Sequence, residues 1–295
     1  MIGCGVGVAQ VVEADYLLEW RGFMYFSMDE LGFENNEKIA TFNKSTEKWS
    51  FISETARGCR FDGIHVTPSL YKSFGLDINE IPDYFDQFHL TFHLGGSHRV
   101  LQENECSQFQ EMLDNAFRIA SKHNVRDISL HPPVIEGCSA YEKECVKDNF
   151  SKIIEKWTAN AKKMLFTLSL ETHLYEPYFL FGNYVQYRRF SDEHPEMGIL
   201  IDVSHNFFSG YSENEIIETF RKSNVTSLHI SDAKQNLDDK DLAQGTHLAI
   251  GDGEIDFKKI VTEYAQNSSL FAVLEIKAEN GKLEKSLCKL RQYIF

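Results

Sequence analysis

The sequence has no apolar run that approaches the roughly 18 residues a membrane-spanning helix needs. Its N-terminus lacks a positively charged start and an obvious small-residue cleavage site, so we expect no signal peptide. The six cysteines are scattered and include no CxxC pair, which argues against a disulfide framework. These absences predict a cytoplasmic protein that holds free thiols and does not contact a membrane.

Basic residues are also scarce. The chain has 30 Lys and Arg against 44 Asp and Glu, a net charge of −14. Nucleic-acid binding draws its affinity from clustered Lys and Arg, so this charge disfavours a nucleic-acid partner. A site with two or three metal ions can still reverse the local field in a cleft, whatever the overall charge.

Linkers rich in Pro, Gly or Ser, low-complexity tracts and obvious internal repeats are absent from the 295 residues. Strand-like apolar runs instead alternate with amphipathic helical stretches, as in a parallel sheet wrapped by helices. An α/β barrel uses about 250 residues as one domain. We therefore expect a single-domain (β/α)₈ barrel, the TIM-barrel fold, over residues 21–295, preceded by an N-terminal extension over residues 1–20.

Eight strands are expected. The first is placed at Phe23–Met28 and not at Ile2–Val8, because the latter would leave an overlong connection to the second. The other seven are predicted at Phe61–Val66, Phe88–His93, Asp127–His131, Phe166–Glu171, Gly198–Asp202, Thr226–His229 and Phe271–Glu275. Intervening helices are predicted at Thr46–Arg57, Glu105–His123 and Tyr141–Lys163.

Six of the predicted strands end on a histidine or a carboxylate. These residues are His93, His131, Glu171, Asp202, His229 and Glu275. An ionisable group at the end of a buried strand is costly unless a metal or a substrate compensates it. Since all strands of such a barrel point their carboxyl ends at one face, where barrel active sites lie, we expect the six to form one polar cluster.

The cluster has the composition of a transition-metal site. Carboxylates combined with imidazole suit Zn²⁺, Mn²⁺ or Co²⁺. The candidate ligands on strands five to eight are Glu171, Asp202, His229 and Glu275. His93 and His131, on strands three and four, could hold a second ion with a glutamate as bridge. His205, just after strand six, and His247, in the loop after strand seven, extend the cluster.

In this order the motifs resemble the xylose isomerase-like barrel superfamily, which includes sugar-phosphate isomerases and epimerases and also endonuclease IV. The resemblance runs from about residue 45 to 290. It rests on Gly-Cys-Arg-Phe-Asp-Gly-Ile-His65, His93, His131, Leu-Glu171-Thr, Asp202-Val-Ser-His205, His229-Ile-Ser-Asp232-Ala-Lys234, His247-x-x-x-Gly-Asp-Gly-x-Ile and Glu275. It implies a central divalent metal, Zn²⁺ or Mn²⁺, on the four ligands of strands five to eight. The positions that match additional ions in the nuclease branch, for one to three ions in all, are His93, His131, His205 and His247.

Three departures separate the chain from the nuclease branch. Thr172 and Ser231 stand where that branch has Asn, and Gly245 replaces the aspartate of its third metal site. Two histidines alone are too few protein ligands for a firm Zn²⁺ site. The stretch 247–257, by contrast, is very similar to the sugar isomerase/epimerase branch.

The favoured function is thus a divalent-metal-dependent sugar or sugar-phosphate isomerase or epimerase. In such an enzyme the ion polarises a carbonyl, and Glu171 or Glu275 removes the neighbouring proton while the other returns it through an enediolate. Residues expected to bind the substrate are His205, His247, Asp232 and Lys234.

Two alternatives stay open. One is an endonuclease IV-like zinc-dependent phosphodiesterase acting on abasic DNA, and the other is a barrel that binds a ligand without turnover. The expected partner is a small sugar or sugar phosphate, and a homodimer through the helical ring is left open. His65 has no evident metal partner and is given a structural or substrate-facing role. The remaining histidines are expected to be exposed or packed: His89, His123, His173 and His194.

Overall fold

The computed structural model describes residues 23–27, 42, 44–68, 76–96, 98–174, 176–221, 224–235, 245–266, 270–276 and 282–294. Its strands are β1 (Phe23–Ser27), β2 (Gly63–Val66), β3 (His89–Leu94), β4 (Val125–Leu130), β5 (Thr167–Glu171), β6 (Gly198–Asp202), β7 (Val225–Ile230) and β8 (Phe271–Leu274). They pair in parallel and in chain order, and β1 closes the barrel by pairing with both β2 and β8. The predicted (β/α)₈ barrel is confirmed. The predicted extension over residues 1–20 lies outside the described residues.

Helices alternate with the strands. They are α1 (Ser45–Gly58), α2 (Glu103–Ala120), α3 (Ala140–Lys163), α4 (Tyr184–Glu193), α5 (Val203–Phe208), α6 (Glu213–Phe220), α7 (Phe257–Gln266) and α8 (Lys282–Ile294). Reciprocal capping starts two of them: Ser139 accepts the Glu142 amide, and the Glu142 carboxylate accepts the Ser139 amide at 2.8 Å. Ser212 and Glu215 repeat this arrangement before α6. Such boxes satisfy amide groups that a helix start leaves open.

Alternate residues of β4 face two different environments. On β4, Ile128 and Leu130 join the apolar core. Asp127 and Ser129, on the other face, bond to polar groups of neighbouring strands: Asp127 accepts the Ser169 hydroxyl at 2.5 Å, and Ser129 contacts His93 at 2.9 Å. The inside of the barrel is therefore polar, and this polar interior leads to the carboxyl ends of the strands.

None of the helices described here is long and apolar enough to span a membrane.

Candidate metal centre

Three carboxylates and one imidazole meet at the carboxyl ends of β5 to β8. Exposed fractions are 1% for Glu171, 0% for Asp202, 0% for His229 and 7% for Glu275. Nδ1 of His229 lies 2.6 Å from Glu275 Oε2, 3.7 Å from Asp202 Oδ2 and 3.8 Å from Glu171 Oε1. The barrel thus brings together four residues that are spread over more than 100 positions of sequence.

Four donor atoms of this cluster fit a cation. Glu171 Oε2 and Asp202 Oδ2 are buried and have no hydrogen-bond partner among the described residues, and the equally buried Glu275 Oε2 and His229 Nδ1 face each other at 2.6 Å. Buried carboxylates are stable only when a counter-charge and ligands compensate them. Ligand atoms of Glu171, Asp202 and His229 lie within 4.8 Å of one another, so these residues could hold a metal ion.

The electrostatics of the cluster point in the same direction. Burial opposes the charged form of His229, but Glu275 and Glu171 outweigh it and hold the pKa of His229 well above its ordinary value. Burial likewise opposes ionisation of both glutamates. Neighbouring histidines nevertheless hold the pKa of each carboxyl well below its usual range. His131 and His229 act on Glu171, and His229 acts on Glu275. The site therefore favours positive charge among ionised carboxylates.

Among the residues that the structure describes, hydrogen bonds reach one oxygen of Asp202 and leave the other free of them. Oδ1 accepts the His205 amide at 2.6 Å and the Ser204 hydroxyl at 2.9 Å, which makes Asp202 the N-cap of α5. Its own amide donates to Thr172 Oγ1 at 2.9 Å, and Thr172 Oγ1 also accepts the Asn206 side chain at 2.6 Å. The second oxygen, Oδ2, is left to face the centre.

His93 and His131 form a pair beside Glu171. Their Nε2 atoms are 3.0 Å apart and lie 3.5 and 3.2 Å from Glu171 Oε2. The Gly96 amide donates to His131 Nδ1 at 3.1 Å, while His93 Nδ1 lies 2.9 Å from the Ser129 hydroxyl. Because the amide can only donate, His131 Nδ1 is an acceptor and the His131 proton sits on Nε2. Burial lowers the pKa of His93 to about 3, so its ring is neutral.

His205 and His247 form a second pair on the other side of Glu171. Their Nε2 atoms are 3.0 Å apart, and His205 Nδ1 lies 3.2 Å from Glu171 Oε1 and 3.5 Å from Asp202 Oδ2. Burial disfavours the charged ring, yet Asp202 and Glu171 raise the pKa of His205. His247 adopts a left-handed backbone with φ of 55°, a conformation that is uncommon outside glycine and recurs at functional sites.

The two other predicted substrate residues lie at the base of the loop that carries His247. Asp232 accepts four backbone amides, from Ala233, Gly251, Gly253 and Ile255, at 2.7–3.1 Å. A Cβ at Gly253 would collide with this carboxylate. The Lys234 amide donates to Gly245 at 3.0 Å. These contacts shape the loop, and substrate binding by either side chain stays a prediction.

Two histidines join the cluster although the sequence reading gave them no metal-site role. The His65 ring packs against His93 and His229, with centroids 5.4 and 4.9 Å away. His173 packs against His131, His205 and Phe179 at 4.3, 4.9 and 4.3 Å. Burial and the neighbouring histidines hold the pKa of both rings well below the ordinary value. His173 follows Glu171 by two residues, a spacing that places two side chains on the same face of an extended chain.

The sequence matches one family model, described as the xylose isomerase-like TIM barrel, over residues 61–293. No functionally curated protein matches the chain.

Solved structures similar to the chain show the same fold. A D-tagatose 3-epimerase-like protein is 17% identical, with a TM-score of 0.70 and coverage of 92% of this chain and 97% of that one. The IolI protein with a bound zinc atom is 13% identical, with a TM-score of 0.60 and coverage of 92% and 96%. An AP endonuclease of family 2 from Brucella melitensis is 12% identical, with a TM-score of 0.63 and coverage of 92% and 99%. Epimerases and a nuclease thus share this barrel.

Proposed function

Because this chain belongs to the xylose isomerase-like TIM barrel family, we propose that it is a divalent-metal-dependent sugar or sugar-phosphate isomerase or epimerase. The observation that carries the proposal is the convergence of three buried carboxylates and one buried imidazole at the described carboxyl ends of β5 to β8. Glu171, Asp202, His229 and Glu275 would hold one Zn²⁺ or Mn²⁺, since the set mixes carboxylate oxygens with one imidazole nitrogen. Epimerases among the structural neighbours support this substrate class.

When bound, the cation supplies Lewis acidity to a substrate carbonyl. The protein supplies the acid and the base. Glu171 on β5 and Glu275 after β8 are separated by two strands of the barrel, so they approach the centre from different sides. Both carboxyls have a pKa held well below the usual range by the nearby histidines, and both are therefore ionised and able to accept a proton. One removes the proton next to the carbonyl, and the other returns it.

Histidines contact both carboxylate oxygens of Glu171. His131 lies 3.2 Å from Oε2 and His205 lies 3.2 Å from Oε1, so an imidazole faces each oxygen. Side-chain exposures of 16% for His131 and 19% for His247 exceed those of the other six proposed ligands and indicate the side from which a small substrate enters. We propose that His205 and His247 bind sugar hydroxyls.

The hydrogen bonds of the His93–His131 pair favour a single ion. They form one directed chain in which the Gly96 amide donates to His131, His131 to His93, His93 to Ser129, and Ser129 to the Phe92 carbonyl. Every ring nitrogen in this chain is used, so the pair needs no ion to compensate its burial. We infer that this pair positions Glu171.

Proton exchange at carbon tests the proposal. Metal-loaded protein is incubated in D₂O with panels of ketoses and ketose phosphates, and NMR follows deuterium entry next to the carbonyl. We expect exchange in the wild type and a loss of about 10²-fold or more in Glu171→Gln and Glu275→Gln. Glu155→Gln, an exposed glutamate on α3, serves as the matched control and should retain the wild-type rate. A wild-type protein that exchanges no proton of either panel would overturn the proposal.

A second candidate, an endonuclease IV-like phosphodiesterase, is favoured by one specific observation. His93 and His131 converge with Glu171, and His205 and His247 converge with Asp202, into two further groups that could hold metal ions. In that case the His131 proton on Nε2 must be displaced. Cleavage of an abasic-site oligonucleotide by Zn²⁺-loaded protein, lost in His131→Gln, would support the nuclease; intact DNA would exclude it.

A further inference from the structure

His65 lies beside the proposed metal ligand His229 in the polar interior of the barrel. Their rings meet edge to face, with centroids 4.9 Å apart and an interplanar angle of 81°. His65, His93 and His229 each contribute one ring nitrogen to a group of three that lie within 4.8 Å of one another. Both His65 and His229 are almost completely buried, so bulk water does not reach the contact between them.

Each of the two rings has one nitrogen engaged. Nδ1 of His65 lies 2.6 Å from Thr91 Oγ1, on the neighbouring strand β3. Nδ1 of His229 faces the carboxylates, 2.6 Å from Glu275. Nε2 of both rings is buried and has no hydrogen-bond partner in the part of the chain that the structure describes. A buried donor left without an acceptor destabilises the fold, so the two Nε2 atoms are natural partners.

We propose that His65 is a positioning residue, which accepts the Nε2–H of His229 when Nδ1 of His229 binds the central cation. The inference rests on the proposed metal site. A metal-binding imidazole almost always donates its second N–H to a fixed acceptor, and this bond sets its tautomer and its ring angle. The proposed bond requires the two Nε2 atoms to lie about 3 Å apart when the cation is bound.

Thr91 completes the arrangement. When the His65 proton is on Nδ1 and points at Thr91 Oγ1, Nε2 of His65 carries a lone pair and can only accept. The proposed chain of contacts then runs from Thr91 through His65 and His229 to the cation, and its residues lie on three strands, β3, β2 and β7. A hydrogen-bond acceptor is required at position 65 for this role, because an apolar side chain of equal size would fill the space without offering one.

Metal affinity tests the inference. Co²⁺ is titrated into the metal-free full chain against a chromophoric chelator, which yields both the dissociation constant and the absorption spectrum of the bound ion. We expect His65→Leu to bind Co²⁺ about 10- to 100-fold more weakly, with a changed spectrum. His65→Gln, whose amide oxygen can accept the same bond, should recover most of the affinity. His89→Leu, at the amino end of β3, should match the wild type.

A further variant covers the case in which His65→Leu does not fold. Thr91→Val keeps the shape of the side chain but removes the hydroxyl, and we expect a smaller loss of affinity in the same direction. Wild-type affinity and spectrum in both His65→Leu and Thr91→Val would overturn the role of His65 and leave the proposed function standing. A wild-type chain that binds no Co²⁺ would overturn both.

Discussion

The hydroxyl of Thr172 binds the backbone amide of Asp202 at 2.9 Å, across the ends of β5 and β6. Thr172 directly follows Glu171, so one short segment carries a proposed ligand and also fixes the backbone of another. The same hydroxyl accepts the Asn206 side chain at 2.6 Å and ties α5 to the strand ends. Thr172, which departs from the nuclease pattern, thus has a defined structural role in this chain.

Removal of that hydroxyl should loosen the centre. In Thr172→Val the buried Asp202 amide and Asn206 amide group lose an acceptor, and we expect the free energy of unfolding to fall by about 1–3 kcal/mol. Urea denaturation of the metal-free protein measures this change. Thr172→Ser retains the oxygen and is the control. Equal stability of the valine and serine variants would show that these hydrogen bonds do not hold the segment.

Asp127 should make stability depend on pH near neutrality. Burial raises the pKa of Asp127 to about 7, although the hydroxyl of Ser169 lowers it in part. Folding raises the pKa of this carboxyl. Its contribution to the free energy of unfolding is therefore fully present below the unfolded-state pKa near 3.8 and is lost as pH rises through 7. Asp127→Asn keeps an acceptor for Ser169 and removes the charge. We expect it to be more stable than the wild type at pH 8, by up to about 4 kcal/mol.

Denaturation of both proteins at pH 5 and pH 8 checks this expectation. The stability difference between Asp127→Asn and the wild type should widen as pH rises. A difference that stays constant between the two pH values would contradict the raised pKa of Asp127.

Gly95 should be intolerant of a side chain. A Cβ there would lie 2.8 Å from His93 Nε2 and 3.3 Å from His131 Cε1. The first of these distances is shorter than Cβ atoms in real proteins show. Gly95→Ala must therefore displace the histidine pair, and we expect a loss of about 1–3 kcal/mol in stability. Gly58→Ala is the matched control, because a Cβ at Gly58 meets no atom within 4 Å among the described residues. Thermal denaturation that ranks the two variants equally would contradict the packing.

Divalent cations should stabilise the fold. Because three carboxylates share a buried site, we expect Zn²⁺ or Mn²⁺ to bind the folded state alone, which adds about 2.7 kcal/mol at a free concentration 100 times the dissociation constant. We expect Tm to rise with added metal and to fall with a chelator. Asp202→Asn removes one ligand charge and should abolish most of the response, whereas Asp148→Asn on α3 should preserve it. If neither added metal nor a chelator changes the Tm, a cation does not bind at the centre.

Much of the fold is predictable from the sequence, because buried parallel strands read as short apolar runs. The predicted strand Gly198–Asp202 coincides with β6, and the predicted helix Tyr141–Lys163 begins one residue after α3 does. The convergence of the strand-end residues also follows from barrel topology. The structure brings together all eight expected ligand positions.

Other features depend on which face of a strand turns inward, and one sequence does not reveal that. His65 sits in a strand that is buried on both faces, so its approach to His229 becomes visible only when the barrel closes. The tautomer of His131 is fixed by the Gly96 amide, a backbone group with no mark in the sequence. The substrate role of Asp232 is predicted from the motif it shares with the family, while its contacts with backbone amides depend on the fold of the loop at 245–256, which the sequence does not show.

Metal content of the purified chain, measured by elemental mass spectrometry without added metal, tests the central claim most directly. The account predicts one Zn²⁺ or Mn²⁺ per chain, lost in Glu171→Gln and retained in Glu155→Gln. Two or three Zn²⁺ per chain would contradict the single central ion and favour the phosphodiesterase. A chain that holds no metal, with or without the Glu171 substitution, would contradict the metalloenzyme account as a whole.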